Sequence, residues 1–183
     1  MFKDLHICNN MTILISKPLA VEHPEYYAYY IGLVPSEDLI YELEEQRKFF
    51  IRFIEQITSE KLNYCYAEGK WTVAQVIQHL IDTERIFCYR MLNFVRHGQM
   101  EIPGFNQNEF AAHVNSSLRT KQSFMDEFDA LRRNTIEFLK TLTVDETRLQ
   151  GKANNASVSV RSIGYMAYGH IVHHAQVIEK KYL

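Results

Sequence analysis

The sequence predicts an all-α fold, a four-helix bundle, on three observations. Its 183 residues hold only 7 glycines and 4 prolines, about half the usual combined share. Pro18, Pro24 and Pro35 fall before residue 36 and only Pro103 comes after it, so long helices are left unbroken. Four later segments carry apolar residues three and four apart, which aligns them on one side of a helix. The glycine and proline shortage also disfavours turn-dense β-sandwiches, because most hairpins need a Gly, Asn-Gly or Pro. A single domain of this size buries on the order of 70% of its unfolded surface, so one core suffices.

Residues 1–17 read as a lead-in. Over 18–35, three prolines and the cluster Tyr26, Tyr27, Tyr29 and Tyr30 predict an extended arm or short helix held on the body by its rings. The first long helix is expected over 36–57. Ser36 is a suitable N-cap, Glu37 and Asp38 sit where the helix dipole favours anions, and Leu39, Leu43, Phe50, Ile54 and Ile57 form its stripe. The second is expected over 72–97, opened by a Thr72/Gln75 capping box and stopped at Gly98. Val73, Val76, Ile77, Leu80, Phe87, Met91 and Val95 line its inner side. A loop over 99–116 carries Pro103-Gly104-Phe105. The third helix is expected over 118–142, with Phe124, Phe128, Leu131, Phe138, Leu139 and Leu142 as its stripe. A polar loop over 143–158 contains Gly151 and Asn154-Asn155. The fourth helix is expected from its cap Ser159 to the C-terminus. Four helices of this length, each about 30 Å long, make a bundle. The expected organisation is an N-terminal extended arm over 1–35 and one bundle domain over 36–183.

Charge and cysteine content narrow the partners. The net charge is −2, and no basic run is longer than Arg132-Arg133 or Lys180-Lys181. A nucleic-acid-binding face needs more concentrated positive charge, so no nucleic-acid partner is expected. Cys8, Cys65 and Cys88 are odd in number and contain no CxxC, which argues against a disulfide framework and suits a reducing cytoplasm. No apolar run approaches the ~20 residues of a membrane span, so a membrane partner is not expected either.

The chemistry-bearing candidates are histidines: His79, His113, His170, His173 and His174. His170 and His174 are four apart on the fourth helix, close enough for both imidazoles to reach one metal ion. His170 and His173 form a rival pair. The apolar line through Ile163, Ala167 and Val177 continues through His170 and His174, while His173 leans to a flank. His79, at the inward edge of the second helix, is the candidate third ligand. Three neutral imidazoles with an open position are the style of a catalytic site, and zinc, nickel, iron or manganese suits such a set. The competing reading is a polar helix edge or core histidines bonded to carbonyls. Ile171 stands where an HExxH motif has its Glu, which argues against a metalloprotease.

Asp82 and Glu84 follow His79 and are candidates for an acid/base or for orienting a ligand. The alternative for either is a salt bridge to an arginine such as Arg161. Gly164 and Gly169 interrupt the fourth helix: Gly164 suits a close helix approach, and Gly169 could open space near His170. Met91, Met100, Met125 and Met166 read as core filling, and Cys88 as a buried apolar residue.

Several segments, taken in order, resemble the DinB-like family. They are Gly69-Lys70-Trp71-Thr72-Val73-Ala74-Gln75-Val76, His79-Leu80-Ile81-Asp82-Thr83-Glu84-Arg85, Pro103-Gly104-Phe105, Ser159-Val160-Arg161 and Gly169-His170-Ile171-Val172-His173-His174-Ala175-Gln176-Val177. The resemblance runs from about Ser36 to Leu183. It implies an up-down-down-up four-helix bundle, often a homodimer, with a divalent metal held by His79, His170 and His174. Characterised relatives include metal-dependent thiol transferases using bacillithiol or mycothiol and a mycothiol-dependent maleylpyruvate isomerase. The function expected is therefore transfer of a low-molecular-weight thiol to an electrophilic small-molecule substrate. The alternatives are a non-catalytic, metal-stabilised dimeric bundle and a metal-dependent hydrolase.

Overall fold

The computed structural model describes residues 13–98, 100–115 and 118–183. Most of the expected lead-in over 1–17 lies outside them. A 3-10 turn (Ala20–Glu22) and a short helix, α1 (Tyr27–Gly32), come first. They are followed by α2 (Leu39–Gln56), α3 (Ser59–Leu62), α4 (Val73–His97), β1 (Glu101–Ile102) and α5 (Gln107–Ala112). The chain closes with α6 (Lys121–Lys140), α7 (Val144–Arg148), β2 (Gln150–Ala153), β3 (Ala156–Ser159) and α8 (Val160–Lys181). The four long helices are the four the apolar spacing predicts.

Their ends follow local chemistry. Thr72 accepts a hydrogen bond from the Gln75 amide at 3.2 Å, and the Gln75 side chain accepts from the Thr72 amide at 2.9 Å, completing the expected capping box. Ser159 caps α8 by accepting from the Ser162 amide. Two starts move inward. Asp38, not Ser36, caps α2, because the Ser36 hydroxyl is taken by the Asp38 amide and leaves the carboxylate to receive the Tyr41 amide. Thr120 caps α6, which therefore begins at Lys121.

The direction of each helix follows from its cross-links. Arg85–Glu127 and Cys88–Thr135 join α4 to α6 in rising order along both, so the two run parallel. Glu44–Lys140 and Arg47–Asp129 set α2 antiparallel to α6. His79–His170 and Trp71–Tyr182 set α4 antiparallel to α8. Leu39 against Gly164 and Gln46 against Tyr168 make α2 and α8 parallel. In chain order the long helices run up, down, down, up, with α2 and α4 on one diagonal.

A buried polar layer crosses the middle of this bundle. Arg132 of α6, completely buried, donates through Nε and Nη2 to the two carboxylate oxygens of Glu84 at 2.7 and 2.9 Å. It also donates to the Gln46 side chain at 2.6 Å and to the Ala167 carbonyl at 3.3 Å. Thr135 donates to Glu84, and Gln46 to the Tyr168 carbonyl. All four long helices therefore meet in one network. Apolar clusters lie on both sides of it, one containing Leu39, Leu43, Phe94 and Ile163, the other Phe50, Ile54, Ile77 and Phe128.

The segment before α2 belongs to the first of these clusters through Ile15, Tyr27, Ile31 and Val34. Arg161, buried at the start of α8, pairs with Glu22 and donates to the Ser16 hydroxyl at 3.0 Å. Arg161 is thus not the partner of Asp82 or Glu84. α1 packs directly on α8 at Gly169, where an added Cβ would stand 2.1 Å from the Tyr30 carbonyl oxygen. Gly169 opens no space near His170; it seats the arm. Gly164 has the expected packing role, against the Leu39 side chain.

The two connections read as loops hold structure of their own. β2 and β3 form an antiparallel hairpin, and β1 joins β2 in parallel. The hairpin turns on Asn154 and Asn155, both left-handed at φ 52 and 62. Two adjacent positive φ values are what a tight primed turn requires, and Asn tolerates them better than most residues. This small sheet is an addition to the expected all-α reading, at one end of the bundle.

The polar layer generates a prediction. Removing one partner strands a buried charge, so Glu84→Ala should lower unfolding free energy by about 3–5 kcal/mol. The double variant Glu84→Leu/Arg132→Met removes both charges and should recover most of that loss. Urea denaturation of the three proteins checks it; equal stability of wild type and Glu84→Ala would contradict it.

Candidate metal centre

His79 reaches inward from the first half of α4, and His170 and His174 face it from α8. The antiparallel packing of these helices sets the two stretches side by side. His79 Nε2 lies 3.2 Å from His170 Nε2. One ring nitrogen from each of the three imidazoles falls within 4.8 Å of the others. A tetrahedral ion with nitrogen ligands at 2.0–2.1 Å places those nitrogens about 3.3 Å apart. The His79–His170 separation already matches that spacing, and rotation of the rings would bring the full set onto one divalent ion. His173, the rival of His174, points elsewhere, and its Nδ1 lies 3.2 Å from the Tyr29 hydroxyl.

The surroundings keep the donors unprotonated. Burial pushes His79 down to about 4. Burial, then the neighbouring His79 and His173, pushes His174 to about 3. His170 is held well below the usual imidazole range by burial and by the other histidines. Metal binding needs neutral imidazoles, and this site supplies them at neutral pH without a competing proton. The Thr83 hydroxyl, one turn along α4, sits 3.4 Å from His79 Nδ1 and turns the ring so that Nε2 faces α8. Trp71 lies against His79, and Phe87 and Tyr30 lie edge-on to His170.

The two candidate carboxylates are engaged elsewhere. Glu84 is locked into the Arg132 network with Thr135 and carries no free oxygen toward the imidazoles. Asp82 accepts from Gln78 at 2.9 Å and from Arg85 at 3.5 Å. It lines a separate groove with Phe110 and His113. The helical twist explains both: Thr83, four residues on from His79, takes the position beside it that Asp82 and Glu84 were candidates for. Cys88, expected to be buried, is half-buried at the edge of the core, 3.0 Å from the Thr135 hydroxyl, and desolvation pushes its thiol up to about 11.

Two grooves open beside the histidines. One, of about 530 Å³, is bounded by His79 and His170 below, by Tyr26 and Tyr27 of the arm, and by Arg90 and Asn154. The other, of about 420 Å³, runs past His174, Trp71 and Tyr66. Thr83, Arg90, Tyr27 and Asn154 were not among the sequence candidates. Spacing gave a signal for the first two, which lie close to the His79 side of α4, but none for the residues brought by the arm and the hairpin.

Comparison with known proteins places this geometry in a family. A protein of Oceanobacillus iheyensis named "Putative metal-dependent hydrolase OB0782" is 24% identical over 147 residues, covering 78% of this chain and 85% of that protein. The solved structure described as "YfiT from Bacillus subtilis is a probable metal-dependent hydrolase with an unusual four-helix bundle topology" superposes with a TM-score of 0.71. That match covers 90% of each chain at 19% identity, a likeness of fold. The family model of the DinB superfamily matches residues 42–178, a span that includes all three histidines. With the family match covering well over half its length, the chain belongs to the DinB superfamily.

Proposed function

We propose that His79, His170 and His174 bind a divalent transition-metal ion and that the protein is a metal-dependent enzyme acting on a small molecule in the adjoining groove. The observation that carries this is the convergence of three neutral imidazoles, two of them buried and His174 half-buried, with one ring nitrogen of each within 4.8 Å of the others. When bound, the ion supplies a Lewis acid that lowers the pKa of a coordinated nucleophile. The chain's own residues supply the rest. Thr83 orients His79, while Trp71, Phe87 and Tyr30 pack around the rings and limit water.

The class of nucleophile is read from what stands beside the rings. Asp82 and Glu84 are bonded to other partners, so among the described residues no carboxylate joins the cluster as a base. A low-molecular-weight thiol ionises far more readily than water and has less need of such a base. This favours thiol transfer to an electrophile. Hydrolysis is the second reading, favoured by the names of the two relatives above.

Three outcomes test these readings. Purified without a polyhistidine tag, the wild type should hold about one metal equivalent by mass spectrometry. His170→Gln should hold almost none, and His173→Gln should match wild type. Equal metal in wild type and His170→Gln would remove the site.

Metal-loaded wild type should conjugate bacillithiol, mycothiol or glutathione to 1-chloro-2,4-dinitrobenzene, and His174→Gln should lose the activity. Release of nitrophenol from nitrophenyl esters, with no conjugation by any thiol, would establish hydrolysis instead.

In the metal-free protein the histidines also set a pH dependence. Unfolded histidines gain a proton near pH 6.5, but His79 and His174 in the folded state resist until about 4 and about 3. Stability is full above pH 6.5 and is lost as pH falls below it, because the unfolded chain takes up more protons. Thermal melts between pH 7 and 4 should show this decline, and His79→Gln should shallow it. Parallel curves for the two proteins would contradict the assignment.

A further inference from the structure

The groove beside His79 and His170 contains a charge that the metal reading leaves unused. Arg90 stands eleven residues after His79 on α4, about 20° around the helix axis from it and about 16 Å along. Both residues line the same cavity. Arg90 is only 4% exposed. Its Nε is buried with no hydrogen-bond partner, and Nη2 makes one long contact, 3.5 Å to the Pro103 carbonyl. The other two buried arginines are each matched by a carboxylate, Arg132 by Glu84 and Arg161 by Glu22. Among the described residues Arg90 has no ion pair.

A buried guanidinium without a counter-ion is unfavourable unless an anion arrives to satisfy it. The other lining residues indicate which anion. Beside Arg90 lie the apolar side chains of Phe87, Phe105 and Met166 and the polar ones of Tyr27 and Asn154, with no second Lys or Arg. One fork-shaped cation in a partly apolar groove suits a single carboxylate on an apolar body. A phosphate dianion commonly gathers more positive charge than this.

We propose that Arg90 recognises a carboxylate on the small-molecule substrate, which lies along α4 with its reacting end toward His79 and His170. The reacting end rests on the metal reading above; the carboxylate contact stands on Arg90 alone. The test is calorimetric titration of the full-length protein, metal-free and zinc-loaded, with hexanoate and 3-phenylpropanoate and with their primary amides. Wild type should bind the acids roughly 10- to 100-fold more tightly than the amides in both states. Arg90→Met should lose that preference with unchanged zinc content, and Arg90→Lys should keep part of it. Equal affinity for acid and amide in wild type, or no binding of either, overturns the assignment, as does a preference that survives in Arg90→Met. An acid preference in a wild type that takes up no zinc when zinc is supplied would defeat the metal reading and support the role of Arg90. If Arg90→Met does not fold, the wild-type comparison and Arg90→Lys still decide.

Discussion

The bundle is organised around one buried guanidinium. Arg132 reaches Glu84 on α4, Gln46 on α2 and the Ala167 carbonyl on α8 from its own place on α6. Hydrophobic burial gives these helices their affinity but is tolerant of sliding, since one leucine packs nearly as well as the next. The fork of Arg132 is not tolerant, because a shift of one turn on any helix would leave a charge or an amide unpaired in the core. The layer therefore acts as a register mark between two apolar clusters. A well-packed apolar replacement can equal such a pair in stability, so its value here is the alignment it enforces.

The histidine site depends on that alignment. His170 comes three residues after the Ala167 carbonyl that Arg132 holds, and His79 five residues before Glu84. With α4 and α8 antiparallel and matched at the polar layer, the two stretches that carry the imidazoles meet. The aromatic surround then does the electrostatic part, removing water and keeping the rings neutral. A set of neutral, converging donors is expensive to maintain in the absence of anything to coordinate, which is why convergence carries more weight than the presence of histidine.

Much of this was legible in the residues. Thr72 and Gln75 announced a helix start through a pairwise pattern that needs no tertiary information, and the apolar line through Ile163, Ala167 and Val177 separated His174 from His173. What was hidden depended on neighbours distant in sequence. Glu84 looked like a candidate acid because nothing local reveals Arg132 as its partner. Arg90 drew no attention as a candidate because Tyr27 and the 104–108 segment, which help enclose it, come from elsewhere in the chain. The small sheet was missed because strands of two to four residues are too short to display alternation, although Asn154-Asn155 was a turn signal in plain view.

The contact of the Tyr30 carbonyl with Gly169, together with the Glu22–Arg161 pair, joins segments 139 residues apart. Contacts of such long sequence separation close long loops and tend to form late in folding. Tyr26 and Tyr27, which wall the groove above His79 and His170, arrive on that same segment. During synthesis the segment carrying Glu22 and Tyr30 is made well before α8 and docks only once that helix is present. The groove is thus complete only once α8 is in place, since Met166 and His170 of α8 and the docked Tyr26 and Tyr27 close it over the wall that α4 supplies.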